Sequence, residues 1–464
     1  MTLRDRAEQA ARDIARRLDA PGPVAERLAA PGRDWAPAGL AGGSPGIALL
    51  HATLGRADDG EAARQTAHRW LAAAVGRAGE RRGHGLYQGV PALAFALDRA
   101  AAAPEDYRSA REQLNSRVEA VASGLAERER RRAEAAADCT TIESYDVVSG
   151  LTGLGAHLLA ARAPDVRAPA ARTPDARTPD ARTPDAGPDR PAARGSGALA
   201  AVLAAVVALT RPLPCGPPPE RRMPGWWVAQ DLQTYAPAPR AAGHANVGLA
   251  HGIAGPLALL ALAWRGGARV EGQREAVTRM VRWLLDHTRA DAAGPWWPTC
   301  VQNPSAAGPG RDREERPGRP SWCYGTPGVA RALQLAGLAL DRSDWQATAV
   351  AAQRAALSRP DAREAVTDGG LCHGWAGLLQ TTWWMARDSG DRELTDHLPQ
   401  LAANLLALSD PAEPFGMTPP RPRNGWTDDP AGFLTGAAGA ALALHTFATD
   451  TAPTTGWDRA LLIA

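Results

Sequence analysis

A Gly-x-x-Gly step followed by an apolar run of helix length recurs along this 464-residue chain, and it limits the possible folds more than any other feature. It stands at Gly43-Ser-Pro-Gly46, Gly150-Leu-Thr-Gly153, Gly252-Ile-Ala-Gly255, Gly325-Thr-Pro-Gly328, Gly374-Trp-Ala-Gly377 and Gly436-Ala-Ala-Gly439, with a degenerate copy at Gly89-Val-Pro-Ala92. The runs that follow, such as IALLHATL, PLALLALA and AALALHTF, are apolar nearly all round and belong to buried helices. Between copies lie amphipathic segments such as EAARQTAHRWLAAAVGRA and DRELTDHLPQLAANLLAL, whose pattern suits outer helices with one wet face. Each repeat is therefore expected to be an outer helix, a turn and an inner helix. Units of this size cannot bury their apolar face alone and must stack on their neighbours. Seven such helical hairpins can form an open solenoid or close into a ring, with the small glycines letting inner helices approach. The ring, an α/α toroid, is the expected form.

The fold class is all-α, because period-2 runs are absent and only 5 Tyr and 4 Phe are present. A shared repeat core makes residues 1–464 one domain, although the chain is longer than a single core usually supports. One segment stands apart. From about Ala163 to Gly197 the chain repeats Pro and charge without an apolar period, and it reads as a disordered insertion. A second irregular stretch runs from Pro304 to Pro320. Apolar residues at 45% and charged ones at 22% exclude wholesale disorder. The formal charge of +2 gives no reason to expect nucleic acid or an anionic membrane as partner. The N-terminus lacks a signal-type apolar region and reads as an amphipathic helix with Leu3, Ala7, Ala10, Ile14 and Leu18 on one side. The longest apolar run, Ala198 to Leu209, is shorter than the roughly 20 residues a membrane span needs, so no transmembrane segment and a soluble protein are expected. Five widely spaced cysteines, an odd number, suit free thiols or metal ligands in a reducing compartment better than a disulfide framework.

Alignment of the repeats on their first glycine brings out the chemistry. Just before it stand His251 in the fourth repeat, Cys323-Tyr324 in the fifth and Cys372-His373 in the sixth. The matching residues Ala41-Gly42, Tyr87-Gln88, Val148-Ser149 and Leu434-Thr435 carry no such set. Two thiolates and an imidazole form a soft site suited to zinc, and three protein ligands leave the fourth tetrahedral position for water or substrate. The spacing of Cys323 and Cys372 fits no local zinc clip, so folding must assemble the site. Asp146, four residues before Gly150, can orient the His251 imidazole and favour its charged form, or can cap an inner helix. Arg319 can steady developing negative charge, and Tyr324 is either a donor or a packing residue. Cys139, Cys215 and Cys300 lie outside the pattern. His51, His157 and His445 sit in apolar inner-helix runs and are expected to be structural, while His244 stays ambiguous.

The strings AHGIAGP, RPSWCYGTPG and LCHGWAG, with YDVVSGLTG upstream and GFLTGAAG near the end, resemble the diagnostic motifs of the lanthionine synthetase C-like family from about Gly42 to Leu444. The resemblance implies an α/α toroid with one central zinc ion held by Cys323, Cys372 and His373, and catalytic roles for His251, Asp146, Arg319 and Tyr324. It implies a cyclase that adds Cys thiols of a dehydrated precursor peptide, leader plus core, to dehydroalanine and dehydrobutyrine, closing thioether rings. A separate dehydratase, a transporter and a cytoplasmic location, free or at the edge of a membrane-associated biosynthetic complex, are implied with it. The chain departs from the family pattern in its Pro-rich insertion and in Ala92, where companion repeats carry Gly. Three other readings compete: addition of glutathione to dehydroamino acids by a member of the same family, a non-catalytic zinc-containing peptide scaffold, and another α/α-toroid zinc enzyme such as a protein prenyltransferase. The Trp-Cys-Tyr-Gly and Cys-His-Gly strings favour the cyclase.

Overall fold

The computed structural model describes residues 1–29, 35–57, 60–77, 83–135, 138–162, 196–213, 223–230, 236–302, 316–419 and 429–464. The first third carries α1 (Leu3–Arg17), α2 (Pro21–Leu28), α3 (Ser44–Ala57), α4 (Glu61–Val75), α5 (Gly89–Ala100), α6 (Arg108–Ala135), α7 (Ile142–Tyr145) and α8 (Leu151–Arg162). Then come α9 (Ser196–Leu209), α10 (Ala254–Arg265), α11 (Gln273–Asp286), α12 (Thr326–Ala339), α13 (Ser343–Ser358), α14 (Pro360–Glu364), α15 (Trp375–Ser389), α16 (Arg392–Leu406) and α17 (Ala437–Thr449). The expected insertion lies outside the described residues over 163–195, but Gly197 does not belong to it, because α9 has already begun.

The helices alternate as the repeats require. Each of α3, α5, α8, α10, α12, α15 and α17 packs on the next, and α17 packs back on α3, which closes an inner ring of seven. Outside it, α4, α6, α9, α11, α13 and α16 cover α3, α5, α8, α10, α12 and α15 in turn. The seventh outer helix is α1, which crosses from the start of the chain to cover α17. A capping box between Thr2 and Asp5 starts α1, and Ala7, Ala11, Ile14 and Ala15 form its buried face. The inner helices are enclosed nearly all round, as in α10, where Leu257, Leu259 and Leu260 are fully buried. Each such side chain stabilises the fold by about 1.5–3 kcal/mol.

Backbone bonds between the turns that precede the inner helices also close into a circle. Leu40 N donates to Tyr87 O (3.0 Å), Tyr87 N to Val148 O (3.4 Å), Val147 N to Ala250 O (3.0 Å) and Leu249 N to Cys323 O (2.9 Å). Cys323 N then donates to Cys372 O (3.1 Å), Cys372 N to Leu434 O (2.8 Å) and Leu434 N to Ala41 O (2.8 Å). In the six repeats that carry it, the second glycine of the motif gives the rim room. A Cβ on Gly255 would stand 2.6 Å from Leu249 O and 2.7 Å from Val147 Cγ2, and one on Gly328 would collide with Trp322 O. The glycines therefore admit the chain's own incoming turn as well as the adjacent repeat.

Two small features complete the fold. Strands β1 (His244–Asn246), β2 (Arg289–Asp291), β3 (Gly294–Trp296) and β4 (Cys300–Gln302) pair antiparallel as β1 with β4 and β2 with β3. At three residues each they are too short for a period-2 pattern to register in sequence. The 3₁₀ segment Trp457–Leu461 and the residues after it lie inside the ring. Tyr87 Oη donates to Ala460 O (3.0 Å), Trp322 Nε1 to Leu461 O (2.8 Å) and Arg331 Nε to Ile463 O (2.8 Å), so the second and fifth repeats grip it. Among the described residues no helix is long and apolar enough to cross a membrane.

Candidate active site and metal centre

The rim bond between Cys323 N and Cys372 O brings the fifth and sixth turns side by side and gathers the predicted ligands. One donor atom from each of Cys323, Cys372 and His373 lies within 4.8 Å of the others. Cys323 is 6% exposed, and Cys372 and His373 are half-buried. Ser321 Oγ lies 3.8 Å from Cys323 Sγ and donates to Tyr324 O (2.7 Å), which fixes the turn that carries the thiol. Hydrogen bonding from Cys372 holds the Cys323 thiol well below its ordinary value, helped by His373 and opposed by burial. Cys372, donating to Cys323 and with its sulfur shielded from water, lies well above. Two neighbouring thiols beside an imidazole are the donor set a zinc ion takes as two thiolates and a neutral nitrogen. The residues present fit that ion.

One turn away around the rim, His251 Nδ1 lies 2.6 Å from Asp146 Oδ2. Burial pulls the His251 imidazole down, but the hydrogen bond and charge of Asp146 outweigh it and raise the ring above its ordinary value. Asp146 also caps: its Oδ1 accepts from Ser149 N (2.6 Å), and its own backbone ends α7. Asp146 thus makes one contact to the imidazole and one to the turn ahead of α8. Tyr145 Oη donates to His251 O (3.3 Å), and the His251 ring stacks on Tyr324 with centroids 5.7 Å apart. Tyr324 follows Cys323, and the charge of Cys323 adds to the rise of the His251 imidazole, so the ring and the thiol are neighbours. Arg319 approaches from the same turn, with Nη1 3.8 Å from Asp368 Oδ2. That Nη1 is buried and makes no hydrogen bond among the described residues.

Asp368 and Asn246 belong to this site, and sequence analysis passed over both. Asn246 Nδ2 donates to Tyr324 Oη (3.1 Å) while its Oδ1 accepts from Gly248 N (3.0 Å). Asp368 Oδ1 accepts from Gly370 N (3.0 Å), and its Oδ2 lies 3.6 Å from His373 Nε2. Each stands six residues before the first glycine of its motif, and that register was a signal the sequence offered.

Among the described residues, the remaining thiols and the imidazoles singled out in sequence stay outside. Cys139 is half-buried away from the rim cluster, Cys300 pairs across β1 and β4 with Asn246, and Cys215 is outside the described residues. His51 contacts Leu18 O (2.9 Å) and is pushed down to about 4 by burial. His157, also pushed down to about 4 by burial, contacts Asn115 (2.7 Å), and His445 Nδ1 lies 2.8 Å from Glu8. His244 is buried in β1 with Nδ1 3.1 Å from Gln230 O, a strand-stabilising position.

The sequence profile of the lanthionine synthetase C-like protein family matches residues 34–171 and 199–462, skipping most of the Pro-rich insertion. The nisin biosynthesis protein NisC of Lactococcus lactis subsp. lactis is 25% identical over 219 residues, which are 47% of this chain and 48% of the relative. The chain thus spans about half the length of the curated relative it matches. A solved nisin cyclase superposes with a TM-score of 0.69 at 19% identity, covering 95% of each chain, and shares the α/α-toroid fold.

Proposed function

Because the chain belongs to the lanthionine synthetase C-like family, we propose that it is a zinc-dependent cyclase that closes thioether rings in a dehydrated precursor peptide. The observation that carries this reading is the 2.6 Å His251–Asp146 pair facing the Cys323, Cys372 and His373 cluster across Tyr324. Cys323, Cys372 and His373 would hold zinc, which supplies a way to keep a substrate thiol as thiolate near neutral pH, where a free thiol of pKa about 8.5 is mostly protonated.

The thiolate sulfur of a peptide Cys forms a bond to the β-carbon of dehydroalanine or dehydrobutyrine. The double-bond electrons move toward the adjacent carbonyl and give an enolate, and the α-carbon then takes a proton, so the addition is redox-neutral. Asp146 engages His251 Nδ1, which leaves Nε2 to carry the proton to the α-carbon. Asp146 keeps the imidazolium populated and fixes its plane. The Arg319 Nη1 without a hydrogen-bond partner among the described residues is a donor for the enolate oxygen. Tyr324, held by Asn246 and stacked on His251, lines the same space. The enzyme requires a preceding dehydration of Ser and Thr, carried out by a partner dehydratase.

Cyclisation leaves mass unchanged, so the test counts thiols. A dehydrated, Cys-containing peptide is incubated with the protein and alkylated, and the adducts are counted by mass spectrometry. Loss of alkylatable peptide thiol at unchanged mass supports the cyclase; a peptide that, with glutathione present, gains the mass of glutathione and keeps its alkylatable thiol supports the intermolecular adduct instead; the absence of both changes contradicts both readings.

A further inference from the structure

Three polar residues on the rim use the same device. Each commits one side-chain oxygen to a turn N–H two or three residues ahead and aims its other atom into the site. Asp146 holds Ser149 N through Oδ1 and reaches His251 with Oδ2. Asn246 holds Gly248 N through Oδ1 and reaches Tyr324 with Nδ2. Asp368 holds Gly370 N through Oδ1, and its Oδ2 lies 3.6 Å from His373 Nε2 and 3.8 Å from Arg319 Nη1. Asp368 is 5% exposed, and its anchored oxygen packs so closely on Gly374 that a Cβ there would run into it.

We propose that Asp368 is the positioning residue of the metal centre: it holds the far edge of His373, turns Nδ1 toward the metal, and ties that ligand to Arg319. The inference rests on reading Cys323, Cys372 and His373 as a zinc site. At 3.6 Å the contact is longer than a hydrogen bond, so Asp368 acts on His373 by charge. A carboxylate behind a metal-bound imidazole fixes the ring's orientation and strengthens it as a ligand. The same anion faces Arg319, whose Nη1 lies 3.8 Å from Asp368 Oδ2. Asp368 thus does for the metal ligand what Asp146 does for His251, and it couples the ligand to the proposed enolate donor.

The test reads metal affinity rather than turnover. Zinc dissociation constants are measured by chelator competition on the full chain for wild type, Asp368→Asn and Asp368→Ala, with thermal unfolding of each metal-free protein. Asp368→Asn keeps the oxygen that caps Gly370 and removes only the charge, so the metal-free variant should stay folded with a Tm above that of Asp368→Ala, while zinc binding weakens by about 10- to 100-fold. In cadmium-substituted protein with isotopically labelled histidine, scalar coupling to the metal should appear at Nδ1 of His373. Unchanged zinc affinity in Asp368→Asn, or coupling at Nε2, overturns the role of Asp368 while leaving the metal centre standing. A wild type that binds no zinc overturns the metal centre itself.

Discussion

Asp146→Asn separates the electrostatic role of Asp146 from its capping role. Asparagine keeps the Oδ1 that accepts from Ser149 N and deletes the charge 2.6 Å from His251 Nδ1. In the wild type burial would depress the imidazole, and Asp146 reverses that, so His251 stays protonated above the ordinary 6.5. Without the charge only burial remains, and the imidazolium fraction falls on the alkaline side. A charge-assisted hydrogen bond is worth about 1.5–3 kcal/mol. About 1.4 kcal/mol is a tenfold change in protonated fraction. The His251 side chain is 32% exposed, which sets the loss at the lower end. Turnover near about pH 8 should therefore fall roughly tenfold, and the alkaline limb of the rate profile should move to lower pH with little change on the acid side. Loss of alkylatable thiol, followed from about pH 6 to about pH 9, measures this directly. The pair also contributes stability that is fully present below pH 6.5 and is lost as pH rises through the raised value. The gap in Tm between wild type and variant should accordingly narrow over the same range. A uniform loss at every pH, with the limb unmoved, would refute the electrostatic role and leave Asp146 as a cap.

Further predictions concern the proton donor, the rim and the ring interior. His251→Ala should retain zinc and lose turnover by about a hundredfold or more, read by metal content and thiol loss together; a zinc-free variant would make that residue structural. Gly328→Ala forces a methyl into Trp322 O and to 3.0 Å from Leu249 Cβ. That strain should cost about 1–3 kcal/mol in thermal unfolding and speed zinc loss to a chelator, because Trp322 precedes Cys323. Arg331 is 1% exposed and bridges Asp388 (2.8 Å) to Ile463 O (2.8 Å) inside the ring. Arg331→Met should destabilise by about 3 kcal/mol in denaturant unfolding, since the partly shielded Asp388 is left without its cation.

The repeat was legible because each glycine answers a local demand. The residue six places before the second glycine turns its carbonyl into the space a Cβ would fill, as Leu249 does at Gly255 and Trp322 at Gly328. Register then carried the site: residues in equivalent turns must meet on one rim, and Cys323, Cys372 and His373 do. The same logic reached Asp146 but stopped short of Asp368 and Asn246, since Asp and Asn in turns read as ordinary turn formers. Closure by α1 on α17 was not legible either, because helical periodicity shows that a face is buried and does not show which partner buries it. The segment at Trp457–Ile463 looks like a short tail in sequence, and its place in the ring is fixed by Tyr87, Trp322 and Arg331, far away along the chain.

The measurement that bears most directly on the account is bound zinc and thiol consumption, made together on wild type and Cys323→Ala with a dehydrated Cys-containing peptide. The account predicts one zinc per chain and loss of the peptide's alkylatable thiol in the wild type, with both abolished in Cys323→Ala and neither due to unfolding as judged by circular dichroism. A wild type that consumes peptide thiol without zinc, or that binds zinc and leaves every peptide thiol free, would contradict it.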